Sequence, residues 1–330
     1  MKAAFIHETG PAENIQFGEL PTPTPKAGEV LVKINAVSVN PIDTYIRNGA
    51  NYWELPKPYI PGADLAGEVV AVGQSVTNLK VGDRVWGSNQ GLMGRQGVFA
   101  EFAAVEEKWL YPTPNGVSDE SAAACALVGI TAHLGLFQRA NLKAGETIFV
   151  HGGTGGVGAM VVQMAKAIGA TVIATAGSPE KAAACNKLGA DHVIEYKTQD
   201  EAAEVKKIAP NGVNVFWETL REPDFDKIVP LMAERGRIVL MAGREARPVF
   251  PVGPFYVKGC SLVGVVMFKA APEEQRTCSE DINKWLASGK LKAQIAKTFP
   301  LSEAAAAHKL QEQNTLQKAG TIGGKIVLRV

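Results

Sequence analysis

Up to about residue 124, apolar and polar positions alternate in short runs cut by glycine and proline. In GEVLVKINAV, Val30, Val32, Ile34 and Ala36 share one face while Lys33 and Asn35 take the other, the period-two pattern of a half-buried strand. LAGEVVAVG and VGDRVWG follow suit, with glycines as punctuation. The pattern predicts a small β-rich barrel. From about residue 125 it gives way to near-continuous apolar runs: Thr147–Val150, Thr171–Thr175, His192–Tyr196, Val213–Trp217, Arg237–Met241 and Ser261–Val266. Parallel strands buried on both faces have this character. Between the first two runs, Val157, Val161, Met164, Ala165 and Ile168 fall on one helical face, and Gly169 stands where a helix stops.

Repeated strand–helix units predict an α/β fold with a doubly wound parallel sheet of the Rossmann type. The last stretch returns to mixed elements: helices around Glu273–Ser288 and Glu303–Gln313, then a strand Lys325–Val330. It is expected to rejoin the first domain. Residues 1–124 and 268–330 then form a discontinuous catalytic domain, and residues 125–267 an inserted nucleotide-binding domain.

Composition narrows the classes. The 330 residues suggest two domains, and 34 Lys+Arg against 33 Asp+Glu leave a formal charge of +1. Nothing in that balance favours nucleic acid or an anionic membrane as partner. The longest apolar stretch, Ala122–Phe137, is interrupted by Gly129, Thr131, His133 and Gly135 and is too short to span a bilayer. MKAAFIHETG lacks the apolar core of a secretory signal. Cys125, Cys185, Cys260 and Cys278 form neither a C-x-x-C pair nor a disulfide framework. A cytoplasmic, soluble protein is expected.

The strongest local signal is Val150-His151-Gly152-Gly153-Thr154-Gly155-Gly156-Val157-Gly158, with G-x-G-x-x-G at Gly153, Gly155 and Gly158. It follows a predicted strand and opens a predicted helix, the context of a dinucleotide site. Small residues allow a tight turn, close backbone approach to a pyrophosphate and helix–strand packing, and the helix N-terminus supplies donors. A P-loop fails on residues, because Gly324-Lys325 is followed by Ile326.

An NAD site places Asp or Glu about 20 residues beyond such a loop. Here the second strand ends Ala174-Thr175-Ala176-Gly177 without a carboxylate, then runs Ser178-Pro179-Glu180-Lys181. Ser178 is a good N-cap and Pro179 a good first helical residue. Lys181 is poorly placed against the helix dipole unless an anion sits there, and Ser178 and Lys181 can both donate to a phosphate. The cofactor expected is NADPH rather than NADH.

With these residues in view, the chain resembles the medium-chain dehydrogenase/reductase superfamily, and most of all its zinc-free NADPH:quinone oxidoreductase branch, which includes zeta-crystallin. The segments SVNPIDTYIRNG, PYIPGADLAGEVVAVG, VGDRVWG, LKAGETIFVHGGTGGVG, TAGSPEK, LGADHVIEY and GKIVL carry the resemblance across nearly the whole length. It implies a GroES-like catalytic domain interrupted by a Rossmann domain. It further implies that Thr154, Gly155, Gly156 and Val157 line the pyrophosphate, and that Gly177, Ser178, Lys181 and Tyr196 surround the adenosine ribose and its phosphate. Tyr45, Thr131, Met241, Ala242, Gly243, Val265, Val266 and Met267 would flank the nicotinamide, with Lys325 as a further contact. The loop Thr219–Asp224 matches a cofactor-contacting loop in position but departs from it in residues.

Zinc alcohol dehydrogenases of this superfamily hold a catalytic ion with Cys, His and Cys. The matching positions here are Asn40, Ala63 and Leu127, and Gly87–Val105 lacks the cysteines of a structural zinc lobe, so no metal is expected. Without a Lewis acid the chemistry suits an acceptor already activated by conjugation: a quinone, an enone or an enal. Charge developing on the acceptor oxygen needs a donor, and Tyr45, Tyr52 and Asn40 are the candidates, with water as the other proton source. Two other readings stay open: an enoyl-thioester (enoyl-CoA) reductase, and an NADPH-binding structural or sensor protein with little turnover. The edge strand Ser261–Val266 and the resemblance point to a homodimer or homotetramer.

Overall fold

The computed structural model describes the chain apart from Asn51, Tyr52 and Lys318. It divides into two compact units, Met1–Leu127 with Ala271–Val330, and Val128–Ala270. Both divisions lie three residues beyond the changes of sequence character, the first of them inside a continuous helix.

The first unit begins with β1 (Lys2–Phe5) and β2 (Gln16–Glu19), paired antiparallel. Next come β3 (Glu29–Val39), helix α1 (Pro41–Arg47), β4 (Asp64–Val72), β5 (Arg84–Gly87), β6 (Phe102–Glu106) and β7 (Leu110–Pro112). Helix α2 (Asp119–His133) continues as a π-turn, Leu134–Arg139. The second unit then alternates β8 (Thr147–Val150), α3 (Gly156–Ala167), β9 (Thr171–Ala176), α4 (Pro179–Lys187), β10 (His192–Glu195), α5 (Glu201–Ile208) and β11 (Val213–Glu218). It closes with α6 (Phe225–Leu231), β12 (Met232–Leu240), α7 (Val252–Val257) and β13 (Ser261–Gly264). The chain returns to the first unit through α8 (Pro272–Ala287), β14 (Ile295–Pro300), α9 (Ala304–Thr315) and β15 (Lys325–Arg329).

The hub of the first unit is β3. Val30–Lys33 bond to β4 on one side and β6 on the other, while Ala36–Ser38 bond to β4 and Ala36–Val39 to β15. One long strand thus serves three partners, and its inward Val30, Val32 and Ile34 anchor a core with Leu65, Val85, Phe99, Ile326 and Leu328. Burying such side chains is worth about 1.5–3 kcal/mol each.

The second unit is an all-parallel sheet in the order β10-β9-β8-β11-β12-β13. Counted from its own first strand this is 3-2-1-4-5-6, the doubly wound order, with the reversal between β8 and β11. Its core includes Phe149, Ile173, Ile194, Phe216 and Ile238. β12 starts five residues earlier than its apolar run, at Met232, and passes through Arg235 at φ +58°. β13 ends two residues early, at Gly264. The α2 segment with its π-turn, Asp119–Arg139, is long and apolar enough to cross a membrane, contrary to the reading from its apolar run alone. Because 78% of its most apolar window is buried inside the protein, it serves as a core helix.

One charge cluster ties the switch point together. His151, just after β8, lies between two carboxylates: Nδ1 is 2.9 Å from Glu218 at the end of β11, and Nε2 is 3.1 Å from Glu201 at the start of α5. The His151 N–H donates to Trp217 O at 3.1 Å, and Thr219 Oγ1 donates to His151 O at 2.8 Å. Burial alone would push the imidazole below its ordinary 6.5, but hydrogen bonds and attraction from Glu201 and Glu218 lift it to about 9. His151 is therefore protonated at neutral pH, and the stability it supplies is complete below pH 6.5 and lost as pH rises through about 9.

His151→Gln should cost roughly 2–4 kcal/mol at pH 7, since it strands the buried Glu218 charge. Denaturant titrations should show wild-type stability falling between pH 7.5 and 10, and this component missing from the variant. Equal pH slopes in the two proteins would count against the assignment.

Candidate active site

A dinucleotide site in a doubly wound sheet forms beyond the carboxyl ends of the strands, at the reversal of strand order. The glycine loop emerges there, from β8. Its left-handed residue is Gly152, φ +69°, one position ahead of the motif that the sequence singles out for the turn. Gly152 N–H donates to Thr175 Oγ1 at 2.9 Å and Gly153 N–H to Thr175 O at 3.1 Å, which fastens the loop to β9. A Cβ on Gly158 would stand 2.2 Å from Gly152 O, and one on Gly153 would stand 2.8 Å from both Ala174 Cβ and Cys185 Sγ. Only hydrogen fits at either place. Gly155 caps α3 with no side-chain acceptor, so the first-turn N–H groups of Gly156 and Val157 are left for an anion.

The other candidates of this unit come out on the same sheet edge. Gly177, Ser178 and Lys181 follow β9, Tyr196 follows β10, Met241–Gly243 follow β12, and Val265–Met267 follow β13. Ser178 Oγ accepts from Lys181 N at 3.4 Å as the cap of α4. A hydrogen bond from the same hydroxyl holds the exposed Glu180 carboxyl below its usual range. Tyr196 lies half-exposed over Gly177, where a Cβ would meet its Oη at 2.6 Å. Gly243 has φ +82°, and Arg221 O fills the space of its absent side chain. Val265 and Met267 are buried, whereas Val266 is exposed. Thr131 stands apart on α2, buried. The edge suits a dinucleotide phosphate: a glycine cradle, a capped helix N-terminus with Lys181 in its first turn, and no carboxylate at the end of β9.

The first unit holds a buried charge network. Asp64 accepts from Ser38 Oγ at 2.8 Å, Asn40 Nδ2 at 2.7 Å, Ser88 Oγ at 2.7 Å and Leu127 N at 3.1 Å. Lys325 Nζ lies 3.8 Å from the same carboxylate, donates to Val39 O at 2.8 Å, and donates to Asn40 Oδ1. Burial drives the Asp64 carboxyl up and the Lys325 ammonium down, against their mutual attraction. Asp43, in the first turn of α1, accepts from Asn40 N at 2.8 Å; burial and then the Asp64 charge push it up to about 7. Cys125 beside them is a buried thiol, pushed up to about 12 by burial.

This network redirects two of the expected roles. Asn40 is fully buried with both ends of its amide engaged, so it acts through the helix it opens rather than as an exposed substrate donor. Lys325, expected at the cofactor, is buried with its ammonium turned to Val39, Asn40 and Asp64. Tyr45 is half-buried on α1, five residues beyond Asn40. Tyr52 lies outside the described residues. Sequence reasoning missed Thr175, the His151–Glu218 pair and the role of Asp64 as a hub. The only sequence signal for the last was an acid between Gly62-Ala63 and Leu65.

Comparison with known proteins fits this architecture. The chain matches the alcohol dehydrogenase GroES-like domain over residues 26–115 and the zinc-binding dehydrogenase family over residues 156–286. It is 31% identical to a human quinone oxidoreductase over 330 residues, covering 99% of this chain and 98% of that one. An NAD-dependent alcohol dehydrogenase structure superposes with a TM-score of 0.90 at 29% identity, both chains covered in full. The quinone oxidoreductase of Escherichia coli, complexed with NADPH, does so at 0.87 and 28% identity, again over the whole of both chains. Two domain families in the expected order, a full-length relative above 30% identity and a shared fold lead to one assignment. The chain belongs to the medium-chain dehydrogenase/reductase superfamily, in its zeta-crystallin-like quinone oxidoreductase branch.

Proposed function

We propose that this protein is an NADPH-dependent reductase that delivers hydride to a quinone or an α,β-unsaturated carbonyl without a metal ion. The observation that carries the reading is the end of β9: Ala176 and Gly177 pass into Ser178 and Lys181, with no acid to take a ribose 2′-hydroxyl. Ser178 Oγ and the Lys181 ammonium are the donors for a 2′-phosphate, and Tyr196 over Gly177 is a wall for the adenosine. The N–H groups of Gly156 and Val157 take the pyrophosphate. Bound NADPH supplies the hydride. Met241–Gly243, Val265–Met267, Thr131 and Tyr45 are assigned to the nicotinamide side.

The side chains of the first unit point to the acceptor class. A catalytic zinc needs three protein ligands, and Asn40, Ala63 and Leu127 offer an amide, a methyl and an isobutyl group. Asp64, the acid among them, already has four hydrogen-bond donors and the Lys325 charge. These residues do not fit a metal, which favours a conjugated acceptor whose own π system accommodates the charge. Tyr45 and Tyr52 are assigned as proton donors. Subunit association is assigned to β13, an edge strand with exposed Leu262, beside exposed Val252, Tyr256 and Val257 on α7.

Oxidation of NADPH at 340 nm against 1,4-naphthoquinone, 2-cyclohexenone, acrolein and crotonyl-CoA, with NADH in parallel, tests the whole reading. Turnover with NADPH on the first three is expected, and a preference for NADH or for crotonyl-CoA would overturn it. Lys181→Ala combined with Ser178→Gly, which spares the cap, should raise the NADPH KM about ten- to a hundredfold and leave the NADH KM unchanged. The double variant Tyr45→Phe, Tyr52→Phe should lose about a hundredfold in kcat on the enone, and full retention would assign the proton to water.

A further inference from the structure

His151 joins the segments that meet at the switch point of the second sheet. Ligands of doubly wound folds bind there, beyond the carboxyl ends of the strands and here between β8 and β11. His151 leaves β8 one residue ahead of Gly152, the left-handed residue of the glycine loop. On the other side of the switch point Glu218 ends β11, its side chain only 1% exposed. Its carboxylate is 2.9 Å from His151 Nδ1 and accepts from Leu220 N at 2.6 Å. Thr219 Oγ1, which donates to His151 O, lies against the glycine loop, where a Cβ on Gly152 would meet it at 3.0 Å. Arg221 O in turn occupies the space beside Gly243, in the turn after β12. Thr219–Arg221 is therefore held from both sides, and one buried ion pair sets where it starts.

The same pair belongs to the charge of the site. Glu218 of β11 and Glu201 of α5 face the two ring nitrogens, and the rings of Phe149 on β8 and Phe216 on β11 pack steeply inclined to the imidazole. With its proton, His151 leaves this cluster one net negative charge; without it, two. The extra charge would stand beside the backbone that takes a pyrophosphate, and the hydrogen bond to Glu218 would lose its charge assistance. Both changes act against a bound polyanion. Binding that favours the protonated form must, by reciprocity, draw a proton from solvent onto the ring. We propose that His151 is a positioning residue of the cofactor site, its imidazolium holding Thr219–Arg221 against the glycine loop, so that NADPH and this proton bind cooperatively. The inference rests on NADPH as the cofactor and is independent of the acceptor.

Isothermal titration calorimetry of NADPH binding, in buffers of different ionisation enthalpy, reads that proton directly. Near pH 9, where His151 gives up its proton, the wild-type protein should take up about 0.3–0.5 protons per NADPH. From about pH 7.5 to 10 its NADPH dissociation constant should rise about five- to tenfold, with the circular dichroism of the folded protein retained. Glu201→Gln keeps the Asp200 cap of α5 and removes one of the two carboxylates, so the uptake maximum should move down by about 1–2 pH units. His151→Gln should show no uptake at all. Wild-type heats that do not depend on the buffer, a maximum that Glu201→Gln leaves in place, or uptake retained by His151→Gln overturns the proposal. Failure of the wild-type protein to bind NADPH even at neutral pH removes the cofactor assignment itself, and the proposal with it.

Discussion

A phosphate can be held by backbone alone only where several N–H groups point one way with no carbonyl to satisfy them, and a chain reaches that state only by packing against itself without side chains. Here the constraint is met by Gly158 lying against Gly152 O and by Gly153 lying against Ala174 and Cys185. Any Cβ at these places would push α3 away from β8 and β9 and close the cradle. The rest of the second unit can be read as support for this approach. Thr175 fixes the loop from β9, Trp217 and Thr219 fix it from β11, and the His151 imidazolium keeps the buried Glu218 charge from opening the seam between them.

The first unit solves a different electrostatic problem. A fully buried carboxylate needs either a metal or a built-in set of partners. Asp64 has the latter, drawn from β3, the turn after β5, helix α2 and β15. Because Lys325 also holds Asn40, the pair fixes where α1 starts, and hence where Tyr45 lies along it. Buried pairs of this kind add little net stability over apolar packing, and their value here is in geometry.

Much of the architecture was legible because it is written in local patterns. The alternation in GEVLVKINAV and the apolar runs from Thr147 onward depend only on which faces are buried, and the glycine loop is recognisable from spacing and context. What escaped depends on residues far apart. Arg235 disguises the start of β12, because a charged residue in a left-handed kink interrupts an apolar run that the strand passes through. The division between the units falls inside α2, whose helical pattern shows no break there. Lys325 and Asp64 are more than 250 residues apart, so no window of sequence shows them as a pair.

The placement of β15 has a consequence for how the molecule is made. Its bonds to Ala36–Val39 and the Lys325 hydrogen bond to Val39 O join the start of the chain to residues made some 290 positions later. On a ribosome emitting about 5–20 residues per second, β3 and Asp64 emerge many seconds before their partners exist. During that interval one side of β3 is an open edge and a carboxylate destined for the interior has no counter-ion. The whole six-stranded unit is synthesised in between and draws its sheet hydrogen bonds from its own strands, so it can mature while the first unit waits. The strand order thus lets the inserted body close on its own, while the enclosing one cannot complete its sheet until β15 has been made.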